Sequence, residues 1–345
     1  MIMRDASIET TAIGVVGAGS WGTALAQLLA SQGFSIDHWV YEDEVREQMR
    51  TDRENGRFLP GVRLSDNLHP SGDLDAVVSG KDLVLVVTPS HVTRQTMQRC
   101  GPAIDADTIV VSASKGIENQ THLTMSGVLT EVIPGLTDQR LAVLTGPSFA
   151  REVARQVPTV VTVASGNPDT AAYVQQVFAT PYFRVYTIED VIGAELGASV
   201  KNVIAIAAGV IDGLGLGLNT RAALITRGLV EIRRLGLAMG AQPRTFTGLA
   251  GVGDLILTCT GDLSRNHTIG KQIGQGRKLK DLLAEMHMVA EGVKTARSVY
   301  NLSRKLGVEM PISQAIYHLL YDDLDPKTAL HQLMTRDLKQ ELDEI

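Results

Sequence analysis

Gly17-Ala18-Gly19-Ser20-Trp21-Gly22 follows directly on the β-branched run Ala12 to Val16 and opens a helical stretch, Trp21 to Gln32, that stops at Gly33. Glycines at this spacing, between a strand and a helix, mark a parallel βαβ unit whose turn holds a dinucleotide pyrophosphate. Gly17 permits the tight turn, Gly19 lets the backbone approach the pyrophosphate, and Gly22 lets helix and strand pack closely. The first N–H groups of the helix, carrying a partial positive charge, then face the phosphates. A mere tight turn would use the same glycines, so the flanking strand and helix give the motif its weight.

Outward from this turn, the runs Ser35 to Val40, Asp82 to Val87, Thr108 to Ser112 and Leu141 to Leu144 alternate with helical stretches. Such alternation is the pattern of a doubly wound, mostly parallel Rossmann-like sheet. Thr159 to Ala164 and Phe183 to Thr187 are expected as further strands, antiparallel additions to its edge. From about Gly193 the strand signal disappears. Arg221 to Leu237 and Glu291 to Leu306 carry helical periodicity, and Asp325-Pro326 has the N-cap and N1 proline of a helix start. The expectation is an α/β chain with a dinucleotide-binding domain over residues 1–194 and an all-helical substrate-binding domain over 195–345. Gly209, Gly213, Gly215 and Gly217 are expected to mark a mobile or tightly packed turn.

With a net charge of -6 and a pI near 5.8, the chain lacks the clustered Lys and Arg of a nucleic-acid or anionic-membrane surface, so an anionic ligand must meet a local pocket. Cys100 and Cys259 have no zinc-type spacing with other Cys or His residues, so no metal is expected, and two cysteines suit a reducing cytoplasm. The start, Met1 to Thr11, includes Arg4, Asp5 and Glu9 and does not read as a signal peptide. The longest apolar tract, Val191 to Ile211, holds Glu195 and Lys201, which reads as a buried helix rather than a membrane span.

Within this frame a few residues carry chemistry. Tyr41-Glu42-Asp43 ends the second strand, and Glu42, about twenty residues past Gly22, stands where a carboxylate accepts hydrogen bonds from an adenosine ribose. The same acids would also serve as a solvated helix start. Thr88-Pro89-Ser90, Ser114-Lys115-Gly116 and Thr145-Gly146-Pro147-Ser148-Phe149-Ala150 fall at carboxyl ends of strands, where ligands bind in open α/β sheets. Lys115 there is a cation for a cofactor or substrate oxygen. Lys201 interrupts an apolar helix and must be paired, used or snorkelled to the surface. Asp254, in Gly253-Asp254-Leu255, is its expected partner. Ser264-Arg265-Asn266 reads as a capped helix start with a guanidinium suited to a phosphate.

Taken together, GAGSWGTALA, SASKGIE, TGPSFARE, VKNVIAIAAG, ALITRGL, GLAGVGDLILTCTGDLSRN and VAEGVKTA, spread over residues 17–296, closely resemble the bacterial type of NAD(P)-dependent glycerol-3-phosphate dehydrogenases. The resemblance implies reversible reduction of dihydroxyacetone phosphate to sn-glycerol 3-phosphate, the precursor of glycerophospholipids, with NAD(H) or NADP(H). It implies Lys201 as the catalytic proton donor and acceptor, with Lys115, Gly146, Ser148, Lys201, Asp254, Ser264, Arg265 and Asn266 around the substrate. Ser20, Trp21, Tyr41, Lys115, Ala150, Arg265, Val289 and Glu291 match cofactor contacts, joining Gly17, Gly19 and Gly22. It also implies a homodimer.

One position departs from the pattern. Tyr41 stands where many bacterial members carry an arginine or histidine, and Tyr41-Glu42-Asp43-Glu44 offers three carboxylates before Arg46. A ribose 2′-phosphate needs a cation, so NADH is expected to serve at least as well as NADPH, with dual use if Arg46 turns toward the site. The competing functions are a two-domain reductase of a β-hydroxy acid or ketopantoate-like substrate, and a dinucleotide sensor without turnover.

Overall fold

The computed structural model describes residue 8, residues 10–285 and residues 290–341. These divide into two compact units, one within residues 1–115 and 123–195, the other within 116–122 and 196–345. Residues 116–122 group with the second unit because Ile117 is buried in its apolar core and its carbonyl accepts the Ser298 hydroxyl at 2.8 Å.

The first unit runs β1 (Ile13–Val16), α1 (Ser20–Ala30), β2 (Ile36–Trp39), α2 (Asp43–Thr51), β3 (Leu68–Ser71), α3 (Leu74–Val78), β4 (Leu83–Val86), α4 (Ser90–Cys100), β5 (Ile109–Ser112), α5 (Met125–Val132), β6 (Leu141–Thr145), α6 (Ala150–Ala154), β7 (Thr159–Ala164), α7 (Pro168–Phe178) and β8 (Phe183–Ile188). Every side chain of β1 and β4 is buried, as in parallel strands covered on both faces. Helices bury Leu25, Leu29 and Phe178 in one apolar cluster and Met97, Leu129 and Val78 in another.

The strand order is β3-β2-β1-β4-β5-β6-β7-β8. The chain leaves β1 toward β2 and β3, then crosses back to β4 on the other side of β1. This is the reversal point at which open α/β sheets bind ligands, and Gly17 lies there, one residue past the end of β1. β7 pairs antiparallel with β6 and parallel with β8, so both late strands run against the rest. β3 was not foreseen from the sequence. Its residues Leu-His-Pro-Ser lack a β-branched run, and Pro70 is tolerated because β3 is an edge strand paired only with β2.

The second unit continues α8 (Val191–Gly213), whose first residues belong to the first unit, then α9 (Gly217–Ala238), α10 (Asp254–Thr260), α11 (Arg265–Gly274), α12 (Leu279–Glu285), α13 (Glu291–Leu306), α14 (Pro311–Tyr321) and α15 (Pro326–Met334). α8 is long and apolar enough to cross a membrane, yet 89% of its most apolar window is buried inside the protein, as befits a core helix. Glu231 of α9 accepts the Ile312 N–H at 2.6 Å, the Ser313 N–H at 3.0 Å and the Ser313 hydroxyl at 2.8 Å, capping the start of α14 from a distance. Burial outweighs these donors and pushes its carboxyl up to about 7.

Gly209 and Gly213 do not form a turn. They lie in α8, where a Cβ would stand 2.0 Å from the His267 carbonyl and 2.2 Å from the Lys271 carbonyl. Gly270 and Gly274 of α11 answer them, their Cβ positions lying 2.0 Å from the Ile206 carbonyl and 2.4 Å from the Val210 carbonyl. The two helices therefore meet backbone to backbone. This contact fixes the start of α11, and the residues it carries, against α8.

Candidate active site

In the first unit the glycine turn is pinned from three sides. Gly17 has φ 115°, and a Cβ there would stand 2.9 Å from the Val87 carbonyl, while one on Gly22 would stand 2.0 Å from the Gly17 carbonyl. His38, fully buried on β2, places Nε2 3.0 Å from that same carbonyl, so the ring donates to it as the neutral tautomer. Asn55 supplies the third tie. Its Nδ2 donates to the Ala18 carbonyl at 2.9 Å and to Thr23 Oγ1 at 2.8 Å, and its Oδ1 accepts the Phe58 N–H at 3.1 Å. Ser20 closes the loop by donating to the Phe58 carbonyl at 2.5 Å.

What remains open is the space a pyrophosphate needs. A Cβ on Gly19 would meet nothing within 4 Å. α1 has no side-chain cap from its N-cap residue and no acidic residue in its first turn, which suits an anion at that end. Trp21 Nε1 is buried without a hydrogen-bond partner, and Trp21 packs with Ala150 against Ala24 and Leu59. These residues fit a dinucleotide phosphate bridge.

Along the same strand ends, Ser114 donates to the Thr88 carbonyl at 2.7 Å, tying the β5 loop that bears Lys115 to the loop after β4. Gly146 has φ 136° and accepts the Ser148 hydroxyl at 3.0 Å just before α6 begins at Ala150. Tyr41 is 76% exposed, edge-on to Trp39 with ring centroids 5.9 Å apart, and Glu42 is the half-buried cap residue of α2.

The burial of His38 makes a measurable prediction. Burial lowers its pKa from 6.5 to about 4, with the Gly17 carbonyl opposing. Between those values the unfolded chain holds a proton that the folded chain refuses, so His38 costs nothing above pH 6.5 and stability falls as pH drops toward 4. Glu231 acts in the opposite sense, its contribution being lost as pH rises from 4.5 to about 7. A difference measurement separates the two. From pH 6.5 to 4.5 the wild type should lose about 2 kcal/mol more than His38→Gln in urea unfolding. Parallel pH profiles would refute a neutral buried imidazole.

The second unit holds a buried ion pair. Lys201 and Asp254 are 4% and 1% exposed and form a short ion pair, α8 against α10. Lys201 Nζ also donates to Thr258 Oγ1 at 2.9 Å, and Thr258 in turn donates to the Asp254 backbone carbonyl at 2.6 Å. The carboxylate thus keeps the buried ammonium charged, and Thr258 fixes its direction. Cys259 lies nearby, but burial pushes its thiol up to about 12, with Lys201 drawing it down only in part. It is an inert buried thiol.

Ser264 caps α11 by accepting the His267 N–H at 3.3 Å. Arg265 is the first residue of that helix; the surrounding protein lowers its pKa by desolvation, and Glu291 at the start of α13 opposes this. Asn266 donates to Asn202 Oδ1 at 2.9 Å and accepts the Gly292 N–H at 3.0 Å, joining α8, α11 and α13. Beside them Asp212 of α8 binds both Arg221 and His267 at 2.8 Å. Val289 lies outside the described residues. Among the described residues, no three His, Cys, Asp or Glu side chains gather as a metal site.

Sequence reasoning singled out neither Asn55, Thr258 nor Asn202. Thr258 had a signal, four residues beyond Asp254 on one helix face. Asn202, beside Lys201 in an apolar helix, was a polar residue without an assigned partner. Asn55 had none, because Asn-Gly reads only as a turn.

A glycine turn at the reversal point of a parallel sheet, with a helical unit bearing a buried ammonium and a capped helix start that carries an arginine, is the architecture of a two-domain dinucleotide-dependent oxidoreductase. Residues 12–171 match the family model of the NAD-dependent glycerol-3-phosphate dehydrogenase N-terminus, and residues 190–331 that of its C-terminus. The chain belongs to the NAD-dependent glycerol-3-phosphate dehydrogenase family. It is 57% identical to glycerol-3-phosphate dehydrogenase (NAD(P)+) of Syntrophobacter fumaroxidans, covering 96% of this chain and 97% of the other. The enzyme of the same name from Geobacter sulfurreducens is 56% identical over 95% and 98%. Among solved structures, glycerol-3-phosphate dehydrogenase from Coxiella burnetii superposes with a TM-score of 0.91 at 39% identity, covering 95% of this chain and all of that one. A PanE/ApbA family ketopantoate reductase from Ralstonia eutropha reaches a TM-score of 0.58 at 17% identity, over 92% and 99% of the chains, a likeness of fold alone.

Proposed function

We propose that this chain interconverts dihydroxyacetone phosphate and sn-glycerol 3-phosphate with a nicotinamide dinucleotide, and that Lys201 is its general acid and base. The observation that carries the reading is the Lys201–Asp254–Thr258 arrangement, a buried ammonium on a largely apolar helix held by a carboxylate and a hydroxyl. The dinucleotide, when bound, supplies or takes the hydride at the ketone carbon. Negative charge then grows on the ketone oxygen, and Lys201 delivers a proton to it. In the reverse direction Lys201 receives the proton.

The remaining residues position the two ligands. Residues 1–194 form the dinucleotide-binding domain, with Gly17, Gly19, Gly22, Ser20 and Trp21 at the pyrophosphate, Tyr41 at the adenosine end, and Ala150 beside Trp21. Residues 195–345 form the substrate domain, where Ser264, Arg265, Asn266 and the first amides of α11 hold the substrate phosphate. Lys115, Gly146 and Ser148 complete the substrate set, Lys115 and Arg265 serve both ligands, and Val289 and Glu291 complete the cofactor set. The proposal extends to a homodimer in the cytoplasm that supplies glycerol 3-phosphate for glycerophospholipid synthesis.

Initial rates with dihydroxyacetone phosphate and each reduced dinucleotide test this directly. Turnover of a ketopantoate-like acid in its place, or dinucleotide binding with no turnover, would overturn it. Arg265 gives a sharper test, because charge-assisted hydrogen bonds to a phosphate contribute about 1.5–3 kcal/mol each. Arg265→Leu should impair dihydroxyacetone phosphate use by at least about tenfold more than use of unphosphorylated dihydroxyacetone. Equal losses with both substrates would remove Arg265 as the phosphate anchor.

A further inference from the structure

Arg46 sits at the adenosine end of the first unit, where no described contact of the reaction uses it. Its Nη1 donates to the Val40 carbonyl at 3.4 Å, one residue past β2, and its Nη2 pairs with Asp43 at 2.7 Å. Gly72, one residue past β3, makes room for it, since a Cβ there would stand 2.5 Å from Nη1. The guanidinium thus lies across the carboxyl ends of β2 and β3, with 21% of the side chain exposed, while Asp43 is 85% exposed. That is the end of the sheet at which an adenosine ribose binds, beside Glu42.

The tie to Asp43 is weak in kind. An exposed carboxylate in an i, i+3 pair is well solvated and screened by salt, so it yields to a stronger anion. Arg46 has five N–H donors in a fixed fork, of which Nη1 meets the Val40 carbonyl and Nη2 meets Asp43. A phosphate dianion offers three oxygens to that fork. We propose that Arg46 is the residue through which this chain accepts a 2′-phosphorylated dinucleotide, taking the phosphate in exchange for Asp43. NADH, which lacks the phosphate, leaves the Arg46–Asp43 pair closed. The inference rests on the proposed use of a nicotinamide dinucleotide and deepens it by assigning the choice between the two forms.

The test reads binding, not turnover alone. Dissociation constants for NADPH, NADH and the probe adenosine 2′,5′-bisphosphate are measured by calorimetry on the full chain and on Arg46→Leu, Arg46→Lys, Asp43→Asn and Arg50→Leu. Arg50 lies on the same helix with Nε on the Pro70 carbonyl, so its removal changes net charge equally without touching the fork. Arg46→Leu should raise the ratio of the NADPH to the NADH dissociation constant at least tenfold and weaken the bisphosphate in step. Asp43→Asn should lower that ratio severalfold, and Arg46→Lys should raise it less than Arg46→Leu. A ratio unmoved by Arg46→Leu, or moved as much by Arg50→Leu, overturns the assignment. Should Arg46→Leu fail to fold, an unmoved ratio in both Arg46→Lys and Asp43→Asn overturns it equally. A wild type that binds neither dinucleotide would instead defeat the proposed function itself.

Discussion

Lys201→Ala should lower turnover of dihydroxyacetone phosphate by at least about a hundredfold while dinucleotide binding persists, since a positioned general acid contributes ~10²–10⁴. On the proposed reading the loss is chemical, because the ammonium is the proposed proton source and the glycine turn proposed for the pyrophosphate belongs to the first unit. Asp254 would be left 1% exposed without its cation, so the variant should also be less stable and must be assayed well below its melting temperature. Near-normal turnover in a folded Lys201→Ala protein that binds the dinucleotide would remove Lys201 from the reaction.

Asp254→Asn should be strongly destabilising. It strands a buried ammonium in an apolar helix, and breaking a buried pair from one side costs about 3–5 kcal/mol. The Thr258 hydroxyl, 2.9 Å from Nζ, carries no charge and cannot replace the carboxylate. Replacing both partners, as in Lys201→Met with Asp254→Leu, removes the uncompensated charge and should cost less than Asp254→Asn alone. Urea unfolding decides. A loss below about 1 kcal/mol for Asp254→Asn, or a double variant whose loss is the sum of the singles, would show that the pair does not hold Lys201 as described.

Much of the fold was legible because its signals are local. β1 and β4 read as strands since four consecutive apolar residues must be buried on both faces, and within the βαβ turn Gly17 is required by its positive φ and Gly22 by its approach to the Gly17 carbonyl. The caps at Ser264 and Asp325 were equally readable, each side chain closing on an N–H three residues ahead. β3 escaped because Pro70 argues against a strand, and only its pairing with β2 at the sheet edge makes one. Gly209 and Gly213 were misread for the same reason, since nothing near them in sequence announces α11.

The site divides along the same line. Lys201 was conspicuous because a lysine in an apolar helix must be explained, and Asp254 because a carboxylate in an apolar loop asks for a cation. Which atoms meet is a matter of distance in space. Thr258 reaches Lys201 from 57 positions away, Asn266 reaches Asn202 from 64, and Asn55 reaches Ala18 from 37. Chain periodicity records which face of an element is buried, and so the sequence alone determined the doubly wound sheet, the helical second half and the residue types the chemistry needs. Partner choice among buried polar groups depends on how helices approach, here the backbone contact of α8 with α11 through Gly209, Gly213, Gly270 and Gly274. Only the tertiary structure decides that, because a glycine's permission for close approach becomes a contact only when its partner, some sixty residues away, is folded against it.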